Sequence, residues 1–259
     1  MEMFKKCIWE CRMENELILS KILEIGEGML VSGGEVSRVE DSITRLCTAY
    51  HMRDINVFTI TASIVVTVTD AEGKVISQTR RVQKYRTDFT KLERYNALSR
   101  ELCASPGDAA YIAEKLEAIR REKMYTKGQD IGAYALVSAT FSVFFGGGFS
   151  DAVAAAIVGV LLYFMVDVTR KLEMNYIVAN LLCSLCGGGI AVFLYQLGIC
   201  QSVDKVIIGN IMLLIPGISL TNAIRDMISG DIMSGISRLC EAVLIAIAIS
   251  LGFTITLLV

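Results

Sequence analysis

The sequence predicts an α-helical integral membrane bundle of about five transmembrane helices, preceded by an α+β cytoplasmic domain with an antiparallel β-hairpin. Three observations carry that prediction. The chain is 53% hydrophobic with a mean hydropathy of +0.52, both high for a soluble protein. Its charge is unevenly spread: residues 1–128 hold 20 Lys/Arg and 19 Asp/Glu, whereas residues 129–259 hold 5 and 8. Each charge at the bilayer centre costs about 2.5–3.5 kcal/mol on insertion scales, so a hydrocarbon solvent produces that asymmetry. Finally, the second half reads as a series of uncharged runs about 20 residues long, separated by short polar breaks.

The expected organisation is residues 1–128 as the cytoplasmic α+β domain and 129–259 as the transmembrane domain. In the first, Ile18, Ile22, Ile25 and Met29 recur at helical spacing, and Ser32-Gly33-Gly34 ends the helix. A second helix presents Val36, Val39, Ile43 and Leu46 on one face. Phe58 to Val68 alternates with period two, which predicts one long strand burying Phe58, Ile60, Ala62, Ile64, Val66 and Val68. Asp70 to Lys74 reads as the hairpin connection, with Val75 to Val82 as the partner strand. Helices are expected over about 89–103 and 107–124.

In the membrane half, spans are expected at about 131–148, 152–169, 176–197, 203–218 and 235–258, with Ser150 or Asp151 capping the second. Short-loop Lys/Arg place the amino terminus in the cytoplasm and, with five spans, the carboxyl terminus outside. Gly187-Gly188-Gly189 reads either as a packing surface or as an opening in the helix.

Several function classes are excluded or disfavoured. The net charge of −2 shows no basic surplus for nucleic acid. The single histidine, His51, rules out a histidine-rich metal centre, and no cofactor or metal is expected. No phosphate-cradling loop is present: Ser32-Gly33-Gly34-Glu35 lacks the lysine. Cys183 and Cys186 fall inside an apolar run, where a packed helix face competes with a redox pair. Arg80, Arg81, Lys84 and Arg86 read as a lipid-headgroup cluster or as a solvated strand end.

The most informative stretch runs from Pro216 to Asp231. Pro216 and Gly217 break a helix at the membrane, and a new helix then begins. Asn222, Arg225, Asp226 and Ser229 fall at i, i+3, i+4 and i+7 and so share a face. That face would line a wet cavity; an ordinary loop helix is the alternative reading. The expected binding or translocation residues are Pro216, Gly217, Thr221, Asn222, Arg225, Asp226 and Asp231. Asp167 and Asp226 are candidates for a proton relay, with an i,i+4 pair to Lys171 as the alternative for Asp167. Glu35, Arg38 and Glu40 are candidates for a site in the cytoplasmic domain, set against a solvated charged face.

These blocks resemble the threonine/serine exporter family. Ser32-Gly33-Gly34-Glu35-x-x-Arg38-Val39-Glu40-Asp41, Arg80-Arg81, and Leu92-x-x-x-Asn96-x-x-Ser99-Arg100 are similar to its amino-terminal signatures. Gly146-Gly147 and Pro216-Gly217…Thr221-Asn222…Arg225-Asp226…Gly230-Asp231 are similar to its membrane signature. The resemblance implies a multi-pass protein of the plasma membrane, a secondary exporter of a small polar metabolite, either a threonine/serine-type amino acid or a succinate-type C4 dicarboxylate. It also implies the larger subunit of a split form, paired with a small separate multi-span membrane subunit; self-association into a homo-oligomer is the other assembly expected. The partners are thus the lipid bilayer, a second membrane subunit and a small-molecule substrate, with no nucleic acid. The reading from another class is a membrane-anchored sensor or scaffold whose α+β domain binds a ligand. A pure anchor needs only one span.

Overall fold

The computed structural model describes residues 2–70, 73–82, 87–122 and 125–258, with side chains from Glu14 onward. The expected hairpin residues Ala71 and Glu72, the basic residues Lys84 and Arg86, and Met124 at the end of an expected helix lie outside the described residues. The chain divides into two compact units: the first is Met1–Glu122 with Ile218–Leu239, the second Lys123–Gly217 with Cys240–Val259.

The first unit packs helices α1 (Glu2–Val31), α2 (Val36–Ala49), α3 (Phe89–Ala104) and α4 (Ala109–Arg121) with a three-stranded antiparallel meander of order β1-β2-β3. The predicted stripes are its core: Ile22, Ile25, Met29, Val36, Val39, Ile43 and Leu46 are buried. α1 ends in a Schellman motif, with Gly34 N donating to Met29 O and Gly33 N to Leu30 O. Gly33 sits at φ +100, a conformation that costs glycine nothing and other residues a Cβ clash.

The sheet departs from the expected long strand. β1 (Arg53–Ile60) and β2 (Ser63–Thr69) are separate strands joined across Thr61-Ala62, and β3 (Val75–Arg81) pairs on the far side of β2. Because Ile60 pairs with Ser63, odd positions of β1 face the same way as even positions of β2. Ile64, Val66 and Val68 are buried as expected, but Phe58 is 62% exposed and Thr59 is buried. The period-two reading could not detect this turn, since Thr-Ala carries none of the Asn, Asp or Gly that mark a tight hairpin. Arg80, read with Arg81 either as headgroup-facing or as part of a solvated strand end, pairs with Glu24 at 3.2 Å and Glu27 at 2.8 Å.

The second unit contains α5 (Lys127–Phe144), α6 (Phe149–Lys171), α7 (Tyr176–Gln196), α8 (Val203–Leu214) and the later part of α10 (Ile232–Leu258). Three helices among the described residues, α6, α7 and α10, are long and apolar enough to cross a membrane. A fourth span is formed if α8 and the next helix, α9 (Gly217–Ile228), count as one broken span bent at Ile215-Pro216. The expectation was about five. α5 falls short because its first turn carries Lys127, Gln129 and Asp130. The apolar remainder, Ile131 to Phe144, is about 21 Å long, less than the ~30 Å hydrocarbon core. α8 and α9 have 12 residues each, about 18 Å.

Small residues set the helix contacts in this unit. A Cβ at Gly159 would lie 2.9 Å from Ser138 Cβ and Tyr134 O, so α6 can approach α5 closely only with glycine there. The Gly187-Gly188-Gly189 run leaves α7 unbroken: Gly187 faces Leu162, and Gly188 faces Phe253 and Thr256 of α10. It is a packing surface. α6 starts one residue before the expected caps, with Gly148 at the N-cap. Asp151 is buried in the first turn, where its carboxylate accepts from Gly148 N at 2.9 Å, Gln201 N at 2.7 Å and Ser202 N at 2.9 Å. Cys183 is buried in this packing and Cys186 exposed.

Candidate functional site

The loop between α1 and α2 is held from three sides within the first unit. From α3, Asp88 N donates to Ser32 O at 3.0 Å, and the Asp88 side chain caps α3 by accepting from Lys91 N. From α9, Asn222 Nδ2 donates to Gly33 O at 3.0 Å and Arg225 Nη1 donates to Glu35 Oε1 at 2.6 Å. From the start of α10, Arg238 Nη2 donates to Gly34 O at 3.1 Å. Asp226 closes the arrangement: its Oδ1 accepts from Val36 N at 3.1 Å, and its Oδ2 lies 3.1 Å from Arg238 Nε. Asp226 is fully buried and the Arg238 side chain 9% exposed, whereas the Arg225 side chain is 60% exposed. A Cβ at Gly34 would lie 2.8 Å from Met29 O, so the loop can adopt this tight path only without a side chain.

A cavity of about 250 Å³ opens beside this loop. Its polar lining is Glu35 and Arg38 from α2, Asn96 from α3, and Asn222 and Arg225 from α9; Met29, Phe89 and Leu92 form its apolar wall. Residues nearly two hundred positions apart in sequence thus meet in one place.

The other expected site residues fall elsewhere. Glu40 is turned to the sheet, where one carboxylate oxygen accepts from Thr59 N at 2.6 Å. Burial raises the Glu40 carboxyl above its ordinary range; the Thr59 N–H opposes that shift and the Asp231 carboxylate adds to it. Burial likewise raises Asp231, which lies in the turn between α9 and α10. Pro216 and Gly217 form the break before α9, with a Cβ at Gly217 meeting nothing within 4 Å, and Thr221 is exposed. Asp167 belongs to the second unit and pairs with Lys171 one turn on, at 2.6 Å.

Two contributors were not among the expected site residues. Arg238 sits in the apolar run of α10, where an arginine demands a carboxylate partner, and that demand was the available signal. Asn96 stood in the Leu92-x-x-x-Asn96 block without an assigned role; its Nδ2 donates to Leu92 O within α3, and the fold brings it to the cavity.

A family described as "Putative threonine/serine exporter" matches residues 20–259. The chain belongs to this family. The match takes in α2, the sheet, every helix of the second unit and the whole cavity lining, so the motif blocks that suggested the resemblance lie inside it. No curated protein and no solved structure matches the chain. Membership and the apolar helices together make this exporter-family chain a multi-pass membrane protein of transport.

Proposed function

We propose that this chain is a subunit of a secondary exporter that moves a small polar metabolite of the threonine/serine type out of the cell. The observation that carries this reading is the family match, which runs through both the apolar helices and the polar cavity. Asn222 and Arg225 are the substrate-facing residues of α9. Asp226 and Asp231 support that helix, and the Pro216-Gly217 break lets it leave the line of α8. We further propose that Lys127 lies on the cytoplasmic side, following the short-loop Lys/Arg bias, and that export requires a small multi-span membrane partner. A C4 dicarboxylate is the competing substrate, with the exposed Arg225 guanidinium as its attraction.

The test is efflux of threonine, serine and succinate from cells expressing the chain, alone and with a small multi-span membrane protein from the same source. Arg225→Ala is expected to abolish efflux at normal membrane abundance, and Arg225→Lys to restore only part of it, because an ammonium lacks the planar fork that matches a carboxylate. Efflux by Arg225→Ala at the parent rate, normalised to protein in the membrane, would refute the assignment.

A further inference from the structure

A cavity of about 100 Å³ opens within the second unit, where α6 ends and α7 begins. Its lining includes Tyr134 of α5, Arg170 of α6, Tyr176 and Asn180 of α7, and Leu213 and Leu214 of α8. Arg170 is the one charged residue in that lining; Asp167 and Glu173, at the same helix end, are outside it. The Arg170 side chain is exposed and forms no ion pair among the described residues, and Asp167 is taken by Lys171 at 2.6 Å. Asn180 is buried, and its Nδ2 donates to Tyr176 O at 2.8 Å, which leaves the amide oxygen as an acceptor. Tyr134 is set by an edge-on contact with Tyr163, the ring centroids 5.4 Å apart. Because α7 starts here, the positive end of its dipole adds to the guanidinium. The height of the cavity in the bilayer follows from α6. This helix has 23 residues, about 34 Å, against a hydrocarbon core of ~30 Å. Arg170 and Lys171 fall in its last turn and so lie at headgroup level, where tyrosines also concentrate.

We propose that this cavity binds the phosphodiester of an anionic phospholipid with a glycerol-type headgroup. The inference goes beyond the exporter reading: it concerns a different cavity, in the other unit, and a ligand that is not transported. A phosphodiester carries one negative charge, which one guanidinium balances, and two of its oxygens match the arginine fork. Basic pockets between membrane helices hold anionic headgroups in this way. The phenols of Tyr134 and Tyr176 add donors, and the Asn180 amide oxygen receives a headgroup hydroxyl. An ethanolamine or choline headgroup would instead set its cation against Arg170, with no carboxylate in the lining to receive it. At about 100 Å³, room for about three waters, the cavity takes the phosphate and an adjoining hydroxyl. The acyl chains stay outside, where Leu172 and Val178 of the same helix ends are exposed.

The experiment is native mass spectrometry of the full chain, delipidated in detergent and titrated with phosphatidylglycerol, phosphatidylethanolamine or phosphatidylcholine. Retention of phosphatidylglycerol is expected at concentrations where the other two are lost. Arg170→Gln changes an exposed, unpaired side chain, so folding should survive; it should weaken phosphatidylglycerol binding roughly ten- to hundredfold, with Arg170→Lys between the two. Lys127 lies at the same end of the unit, where its charge acts on Asp167, but outside the lining. Lys127→Gln should therefore leave binding unchanged. Equal retention of the three lipids, or phosphatidylglycerol binding unaffected by Arg170→Gln, overturns the proposal. So does an equal loss in Lys127→Gln, which would mean diffuse attraction to a charged helix end. Soluble glycerol phosphate offers the same phosphate chemistry without chains and should not displace the lipid; displacement at matched concentration would make this a site for free phosphate and remove the lipid. Displacement by L-threonine or succinate would give the cavity to the transported solute and overturn the proposal likewise.

Discussion

The buried pair Asp226–Arg238 predicts a large and specific loss of stability. Asp226 is fully buried and holds three groups in place: the Val36 N–H, the Arg238 side chain and, through Arg238, the Gly34 carbonyl. Arg238→Ala strands that carboxylate with a single N–H, and Asp226→Ala strands the guanidinium. Removing one member of a buried pair costs about 3–5 kcal/mol, because the remaining charge is desolvated without compensation. At about 2–4 °C per kcal/mol for a chain of this size, each single change should lower the melting temperature by about 6–20 °C. The double variant Asp226→Ala/Arg238→Ala removes both charges and leaves only the Val36 N–H and the Gly34 O without partners, each worth about 1 kcal/mol. It should therefore be more stable than either single variant. The assay is thermal unfolding of purified protein in one detergent, followed by circular dichroism, arranged as a double-mutant cycle. By contrast, Arg225→Ala breaks a pair whose arginine is 60% exposed, a contribution of about 0–1 kcal/mol at most. A melting temperature for Arg238→Ala within about 3 °C of the parent, or additive losses in the double variant, would refute the argument.

Two further outcomes follow from the first unit. Burial raises the Glu40 carboxyl above its ordinary value of 4.5, so the folded state holds that proton more tightly than the unfolded one. The contribution is fully present below about pH 4.5 and is lost as pH rises through the folded value. Glu40→Gln, which keeps an acceptor for Thr59 N, should flatten that part of the stability–pH curve in denaturant titrations; an unchanged slope would assign it elsewhere. Gly28 faces the buried ring of Tyr95, and a Cβ there would overlap the ring. Gly28→Ala should cost about 1–3 kcal/mol in chemical unfolding, with Tyr95→Leu recovering part; a neutral Gly28→Ala would mean that the ring moves freely.

Much of the first unit was legible because its helices are amphipathic in the ordinary sense. The stripes Ile22-Ile25-Met29 and Val36-Val39-Ile43-Leu46 are buried as their spacing implies, and Ser32-Gly33-Gly34 ends α1 because Gly33 takes a left-handed conformation. The sheet was legible only in its second half. A strict alternation from Phe58 to Val68 continues unbroken through a two-residue turn, yet the turn reverses which parity faces inward. Hydrophobicity cannot register that reversal, since exposed Phe58 and buried Thr59 read against their environments. Glu40 reaches this position from α2 and accepts from the Thr59 backbone N–H.

Helix α9 shows how a polar face beside apolar runs is divided by the fold. Sequence reasoning set Asn222, Arg225, Asp226 and Ser229 on one face, read either as the lining of a wet cavity or as the polar side of an ordinary loop helix. In the structure the face divides. Asn222 and Asp226 are buried against the α1–α2 loop, Arg225 lies at the rim against Glu35, and Ser229 is exposed. The opposite side of α9 presents Leu220, Ile224 and Ile228, which are 41%, 48% and 81% exposed, and Ile232, Met233 and Ile236 are exposed just beyond at the start of α10. This helix buries its polar side and exposes its apolar one. In water that would be costly at about 25 cal/mol per Å² of apolar surface; against lipid it is not, because hydrocarbon is as apolar as the side chains it meets. The direction of a polar stripe thus depends on which solvent surrounds the other side. A helix next to apolar runs satisfies its Asn and Asp inward, against backbone N–H and carbonyl groups that need partners, and the charged residue left at the boundary, Arg225, pairs with Glu35 at the rim.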